Sequence, residues 1–439
     1  MNKKIYFIGI GGVNMSALAL ISKDFGFFVS GSDRTYNEFI FKLEKNGIEV
    51  FIGHDKNNVK GYDVVVYSDA IKNNNEELKQ AKRLKIPTYS RGEYLDFISN
   101  FFTFKIGISG THGKTTATSL ISNVLVESGL SCSCFIGGED LNLSNCFYSG
   151  KKILISEICE YKRNVENFKS DIAVCLNIDA DHMECYNDFG DLINSFYKFL
   201  DKAYFKVVNV DDENLKKYKS NNTIGISLKN KSANFYAKIL KIKNNFTYFS
   251  VFKNGEYAFD YKIKGFCIHN IYNALSCIAV CEILKIKKEI INNVFLNYKG
   301  VKRRMEFIGK KEGKFYFADY AHHPTEIEST LKSFKNALSQ DFVVVFQPHT
   351  FSRTKLLFNK FLRVLSQIDN LIIYKTFPAR ETEKDGMSGF DLSLALKCVY
   401  CADSKKISDE IIRLNKKYVL FLGAGDIYEI AKYLVKKSF

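Results

Sequence analysis

The sequence predicts an α/β fold of three consecutive domains built on mostly parallel sheets, and three observations predict it. The chain has 439 residues, too many for one compact core when a domain takes roughly 150. Short apolar runs that end at Gly, Asp or Ser and pass into helical periodicity recur along it, as repeated βα units require. Two separate glycine-rich turns, "FIGIGGVNMSALA" at Phe7–Ala19 and "IGISGTHGKTTATSLI" at Ile106–Ile121, each follow such a run and open a helical pattern.

The first domain is expected over residues 1–100. Lys4–Ile8 reads as a strand, the glycine turn follows, and Met15–Phe25 reads as a helix closed by Gly26. "FFVSGSD" supplies a second strand with Asp33 at its end, and "YDVVVYSDAI" another that ends at Ser68. A central domain, residues 101–299, starts with the strand before Ser109 and continues through "KKILISEI", "DIAVCLNI" and "KVVNV". The third, residues 300–439, holds strands at "KFYFA", "DFVVVF", "NLIIY" and "YVLFLGAG". Three of its prolines, Pro324, Pro348 and Pro378, fall just past strand ends, where loops of parallel sheets carry chemistry.

Composition bounds the function classes. With 46% hydrophobic and 25% charged residues the chain has ordinary globular proportions. A net charge of +15 suits an anionic partner, but the charge is mostly Lys scattered along the chain, whereas a nucleic-acid footprint is clustered. No nucleic acid is expected as a partner. The sparse arginines are more telling, with Arg303, Arg304, Arg353 and Arg380 in or near the motifs below. Eleven Cys lack regular spacing, and the one C-x-x-C, Cys398–Cys401, has no second pair to complete a zinc site. Reduced thiols are expected. Lys3, Lys4 and the apolar run after them resemble a signal peptide, yet Gly9, Gly11, Gly12 and Asn14 interrupt the run as a turn does. No run approaches the roughly 18 apolar residues of a membrane span, so no stable membrane association is expected.

In the central loop Gly110, Thr111, His112, Gly113, Lys114, Thr115 and Thr116 lie between a strand and a helical pattern. Backbone N–H groups at a helix N-terminus hold phosphates there, a Lys reaches their oxygens and a Thr hydroxyl ligates Mg²⁺. Ile108 stands where the full phosphate-loop pattern has its first glycine, and Lys114 is expected to be an exposed loop side chain. The first loop, with Gly9, Gly11 and Gly12, is followed some twenty residues on by Asp33, as in dinucleotide-binding turns. Asn14 occupies its third glycine position. Alone it is compatible with an NAD enzyme, and it suits any ligand that bears a pyrophosphate.

Glu157 ends "KKILISEI", and His182 follows the next apolar strand. With the Thr115 hydroxyl they form a candidate divalent-metal set beside a nucleotide, the alternative being a loop-capping His182 and a Glu157 in a salt bridge. In the third domain Asp319, His322 and His323 follow one strand, and His349 and Arg353 follow another. Both groups are expected at one cleft on the C-terminal edge of the sheet. Zinc at the adjacent histidines would need further ligands that the spacing does not offer.

The segments "GIGGVNMSALA", "GTHGKTT", "EICEYKRN", "NIDADHMECY", "HNIYNAL", "GVKRRMEFIG", "DYAHHPTEI", "QPHTFSRT" and "LGAGDIY" together resemble the Mur ligase family, in family order and over the length of the chain. The resemblance implies a Rossmann-like UDP-binding unit, a central P-loop ATPase-like unit and a C-terminal Rossmann-like unit. It also explains why one chain carries two glycine loops, one for the UDP of a sugar substrate and one for ATP.

By the same resemblance Gly11, Gly12, Asp33, Ser68 and Arg91 would bind UDP-N-acetylmuramate. Residues 110–116 would hold the ATP phosphates, with Mg²⁺ at Thr115, Glu157 and His182. Asn270 and Asn273 match adenine contacts, Arg304 an arginine that reaches the nucleotide, and Asp319 a ribose contact. Tyr320, His322, His349 and Arg353 would face the amino acid and the reacting carboxylate, and domain closure would assemble the site.

The implied reaction is ATP-dependent. The lactyl carboxylate of UDP-N-acetylmuramate becomes an acyl phosphate and L-alanine attacks it, giving an amide, ADP and phosphate in cytoplasmic peptidoglycan precursor synthesis, and hence a role in cell wall biogenesis, cell shape and cell division. The alternative is a peptide-recycling ligase that joins a tripeptide to the same sugar nucleotide, against which "QPHTFSRT" counts. An NAD-dependent dehydrogenase would leave Lys114, Thr115 and Arg353 idle, and a nucleotide switch has no use for the first domain. The motif "EICEYKRN" departs from the acidic type of other family members and gives Cys159 and Glu160 no role. Lys198 is not assigned as a carbamylated lysine, and both a monomer and a homodimer remain open.

Overall fold

The computed structural model describes residues 3–243, 246–338, 341–379 and 381–436; Arg380, one of the motif arginines, lies outside them. The fold is α/β, with three mostly parallel sheets in chain order. The first contains β1 (Lys4–Ile8), β2 (Phe28–Asp33), β3 (Glu49–Ile52), β4 (Val64–Tyr67) and β5 (Thr88–Ser90), parallel throughout in the order β3-β2-β1-β4-β5. The strand order reverses between β1 and β4, and open parallel sheets bind ligands outside the carboxyl ends of strands at such a point. The glycine turn after β1 sits there.

The second sheet comprises β6 (Phe104–Ser109), β7 (Cys132–Asp140), β8 (Ser144–Tyr148), β9 (Ile153–Glu157), β10 (Ile172–Cys175), β11 (Phe205–Asn209), β12 (Thr223–Ser227), β13 (Phe235–Lys243), β14 (Phe246–Lys253) and β15 (Glu256–Lys264). Its order is β15-β14-β13-β12-β11-β10-β6-β9-β7-β8. Pairing is parallel from β13 to β7, while β8, β14 and β15 join antiparallel at the edges. Because β6 lies between β10 and β9, the loops after those two strands flank the phosphate loop. The residues of β9 and β10 are almost all buried, which is why these strands read as unbroken apolar runs.

The third sheet holds β16 (Glu306–Lys311), β17 (Lys314–Asp319), β18 (Phe342–Phe346), β19 (Leu371–Tyr374), β20 (Val399–Cys401) and β21 (Tyr418–Leu422), in the order β16-β17-β21-β18-β19-β20. Only β16 is antiparallel. One strand, β21, separates β17 from β18, so the loops with the two histidine motifs leave the same edge as near neighbours.

The three sheets form two compact units rather than three. One comprises the chain to Gly265 with His269–Gly300, and the other Phe266–Ile268 with the chain from Val301 onward. The first two sheets share a unit because one apolar cluster runs through both, placing Phe7, Leu18 and Ile21 with Phe135, Leu154 and Ala173. Helix Val13–Asp24 is buried at every position from Met15 to Ser22, and each large aliphatic side chain so buried contributes roughly 1.5–3 kcal/mol. A polar clamp adds direction. The fully buried Asn145 donates from Nδ2 to Val13 O at 2.7 Å and Ser16 Oγ at 2.9 Å, and Lys42 Nζ donates to Ser144 Oγ at 2.6 Å. All eleven cysteines are free thiols. Among the described residues no helix is long and apolar enough to cross a membrane.

Candidate active site

The phosphate loop leaves β6 at Ser109 and turns into helix Lys114–Glu127. Gly110 has φ +126° and Gly113, the residue before the helix, φ +85°, left-handed conformations that glycine adopts without a Cβ penalty. A Cβ on Gly110 would also meet Leu176 N at 3.0 Å. The segment after β10 fastens the loop. Asn177 Oδ1 accepts from His112 N at 2.8 Å, its Nδ2 donates to His112 O at 2.9 Å, and its carbonyl accepts from Thr111 N at 3.0 Å. Asp179 N donates to Thr111 Oγ1 at 2.9 Å, and His112 Nε2 lies 3.2 Å from Asp179 Oδ2. In the sequence "NIDADHMECY" only His182 stood out; the polar residues just past a buried strand were the signal for Asn177 and Asp179.

Lys114 corrects its expected exposure. Its side chain is only 13% exposed and crosses back over the loop, donating to Gly110 O at 2.5 Å, Thr111 O at 3.0 Å and Glu160 Oε2 at 2.9 Å. Glu160, which has no role in the motif reading, has a side chain 2% exposed. Thr115 Oγ1 donates to Glu157 Oε2 at 2.8 Å, so two of the three candidate metal ligands meet. The Glu157 carboxylate rests on Gly137, where an added Cβ would fall 1.7 Å from Oε1. His182, at φ +53°, has Nδ1 3.5 Å from Glu184 Oε1 and its ring 5.1 Å from that of Tyr161. Lys198 pairs with Glu166 at 3.2 Å and is 56% exposed.

Asn273 is buried within helix Ile268–Ile283, and its Oδ1 would lie 3.1 Å from a Cβ on Gly113. Asn270 lies one turn earlier, with Nδ2 3.2 Å from the corresponding position on Gly265. Thr116 occupies the helix's first turn.

At the first glycine turn Gly9 N and Ile10 N donate to Ser32 O at 2.8 and 2.9 Å. Asp33 closes the turn itself, accepting from Gly11 N at 2.8 Å and Arg34 N at 2.7 Å. Gly12 is exposed and precedes the helix. Ser68 N donates to Ile8 O at 3.0 Å, and Arg91 Nε donates to Asp69 Oδ2 at 3.3 Å. A narrow cleft lined by Asn14, Arg91, Phe135, Ser156 and Glu157 joins this turn to the Glu157 end of the central sheet.

In the second unit the two histidine loops converge. The His322 and His349 rings lie 5.7 Å apart, the Arg304 guanidinium stands over Tyr320 at 5.0 Å, and Arg353 Nη1 is 3.5 Å from His349 Nδ1. His322 Nδ1 is 3.4 Å from Glu326 Oε2, and Phe377 stacks on His349 at 5.5 Å. Asp319 is committed to its own turn: Oδ2 accepts from Met305 N at 2.7 Å and Oδ1 from Ala321 N at 2.9 Å. Burial pushes its carboxyl above the usual value.

Burial, with His322 and Arg353 nearby, pushes the His349 imidazole down to about 4 from 6.5. Between those values the unfolded chain binds a proton that the folded chain refuses, so stability rises with pH there. The contribution is complete above about pH 6.5 and lost as pH falls toward about 4, and over that interval it amounts to about 3 kcal/mol. Urea unfolding at pH 7 and pH 5 tests it, with His349→Gln expected to lose less stability on acidification than wild type. Equal losses would mean that His349 titrates normally.

A strand, a glycine loop and a helix that presents Lys and Thr, held between two further parallel strands and combined with two more parallel sheets, define a nucleotide-gripping α/β protein. Models of the "Mur ligase family, catalytic domain", the "Mur ligase middle domain" and the "Mur ligase, glutamate ligase domain" match residues 4–103, 108–281 and 303–425. The chain is 38% identical to UDP-N-acetylmuramate–L-alanine ligase of Caldicellulosiruptor saccharolyticus, covering 99% of each chain. The chain belongs to the Mur ligase family. The solved structure of a UDP-N-acetylmuramate–alanine ligase from Thermotoga maritima superposes with a TM-score of 0.84 at 25% identity, over 99% of this chain and 98% of that one. A murein peptide ligase from Psychrobacter arcticus shares the fold, with a TM-score of 0.76 at 20% identity and complete coverage of both chains.

Proposed function

We infer that this chain is an ATP-dependent ligase that joins the lactyl carboxylate of UDP-N-acetylmuramate to L-alanine, giving an amide, ADP and phosphate. The observation that carries the substrates is the full-length similarity to alanine-adding ligases. The geometry around Lys114 supports the phosphoryl chemistry. The murein peptide ligase likeness, at 20% identity, bears on the fold alone, so the tripeptide-joining alternative is the weaker reading. Acting on these soluble metabolites, the enzyme works in the cytoplasm on peptidoglycan precursors.

In this reading the muramyl carboxylate oxygen attacks the γ-phosphorus of ATP and ADP leaves, forming an acyl phosphate. The alanine nitrogen then attacks the acyl carbon, and phosphate leaves with the C–O bond electrons. Such transfer depends chiefly on positioning and charge stabilisation. The N–H groups at the N-terminus of helix Lys114–Glu127 and the Lys114 ammonium hold the phosphate oxygens, while Thr111 and His112 N–H stay on Asn177. Thr115 and Glu157, a hydroxyl and a carboxylate, fit a hard Mg²⁺ ion, and His182 is the third candidate ligand. Mg²⁺ there would neutralise charge on the phosphates. Asn270 and Asn273 serve adenine, and the glycine turn with Ser68 and Arg91 serves UDP. Arg304, Tyr320, His322, His349 and Arg353 form a cluster whose two arginines suit the amino-acid carboxylate, and the incoming amine loses its proton to a histidine or carboxylate near this cleft.

Phosphate release from ATP plus UDP-N-acetylmuramate, with L-alanine, glycine, L-serine or the recycled tripeptide added singly, tests the reading. Release strongest with L-alanine and an amide of matching mass is the expected result. Release only with the tripeptide would transfer the chain to the recycling branch, and no release with any would remove the substrate assignment.

A further inference from the structure

We propose that Glu160 is a positioning residue that holds Lys114 across the phosphate loop and yields it to the phosphate oxygens of the nucleotide. The proposal rests on the reading of Lys114 as a phosphate ligand. An ammonium has three N–H donors, and Lys114 directs them to Gly110 O at 2.5 Å, Thr111 O at 3.0 Å and the Glu160 carboxylate at 2.9 Å. The first two acceptors belong to the loop backbone, which positive φ at Gly110 and Gly113 and the bonds from Asn177 hold in place. Glu160 is the one acceptor on a side chain, and bond rotation moves it without refolding the loop. A phosphate oxygen that bonds Lys114 therefore takes the place of Glu160.

The exchange is between like groups, an anionic oxygen for an anionic oxygen at one cation. The lysine side chain is ordered before the nucleotide arrives, and preorganisation of this kind lowers the entropic cost of binding. Tyr186 Oη donates to the Glu160 main-chain carbonyl at 2.5 Å, which fixes the backbone and leaves the side chain as the moving part. The electrostatics agree. Burial pulls the pKa of Lys114 down, and the neighbouring carboxylates, Glu160 foremost, outweigh that pull, so the net shift is upward.

Glu160→Gln keeps the shape and an acceptor for Lys114 but removes the competing charge. ATP is expected to bind the full-length protein about tenfold tighter, as for loss of a charged hydrogen bond that binding must break. The KM for ATP falls in step while kcat changes less. A residue with only a structural role would change thermal unfolding without tightening ATP. In a Lys114→Met background the same substitution is expected to leave ATP affinity unchanged, the signature of coupling in a double-mutant cycle.

Unchanged or weaker ATP binding by Glu160→Gln, or an effect that persists in Lys114→Met, overturns the proposal. A raised Mg²⁺ requirement at unchanged ATP affinity also overturns it, since Glu160 would then be a metal ligand. If Glu160→Gln does not fold, Glu160→Asp, whose shorter carboxylate pulls away from Lys114, gives the same readout. Absence of ATP binding by the wild type would overturn the phosphate-loop reading itself, and the proposal with it.

Discussion

Lys114→Ala is expected to lower turnover by on the order of a thousandfold, the scale of losing one preorganised donor to a transferring group. It is also expected to lower the unfolding free energy by about 3 kcal/mol, because removal of one partner strands a buried charge. The stranded group is Glu160, whose side chain is 2% exposed. An exposed loop lysine would give the first effect without the second, so the pair of measurements separates the structure from the expectation of exposure. Lys114→Met combined with Glu160→Gln removes both charges, and buried ion pairs replaced as a whole are often neutral in stability. That double variant should unfold in urea near wild type yet stay inactive. Near-normal turnover in Lys114→Ala would end the assignment of this loop to ATP.

Gly137→Ala is expected to reproduce the phenotype of Glu157→Ala. The new methyl would fall 1.7 Å from Glu157 Oε1 and 2.3 Å from Oε2, so the carboxylate must move away. Because the clashing atoms end a flexible side chain, the fold accommodates the change and the Thr115–Glu157 contact is what breaks. If Glu157 holds Mg²⁺, the Mg²⁺ concentration for half-maximal turnover should rise at least about tenfold in both variants, the scale seen when the support of a ligand is lost. Circular dichroism should show Gly137→Ala folded. A normal Mg²⁺ titration in Gly137→Ala, with a shifted one in Glu157→Ala, would mean that the carboxylate regains its place. Normal titrations in both would remove Glu157 from the metal.

Much of the site was legible before the fold was known, because it lies at the ends of strands. Apolar runs that stop at a polar residue marked β6, β9 and β10, and in a parallel sheet those stops share an edge. Thr115 and Glu157 meet for that reason. The same logic brought His322 and His349 together from β17 and β18, although the intervening strand, β21, comes last in the chain. What Gly137 and Asn273 pack against was not legible. Their neighbours, Glu157 and Gly113, are distant in sequence, and nothing in the local pattern specifies which residue a carboxylate or a tight turn will rest against.

By itself the sequence determined the fold class, the two glycine turns and the chemistry of the residues around them. Hydrophobic periodicity and the conformational needs of glycine are local, and a single chain displays them. Tertiary structure alone decided the electrostatic state of the site. Lys114 became a buried cation because the loop after β9 carries Glu160 across it, and His349 lost its proton affinity because burial and two neighbours disfavour its charge. Only the packed structure decided that the first two sheets form one unit, since the shared core around Leu18 and Phe135 arises where faces meet. Charge burial and face-to-face packing depend on distances between residues far apart in the chain, and those distances exist only once it has folded.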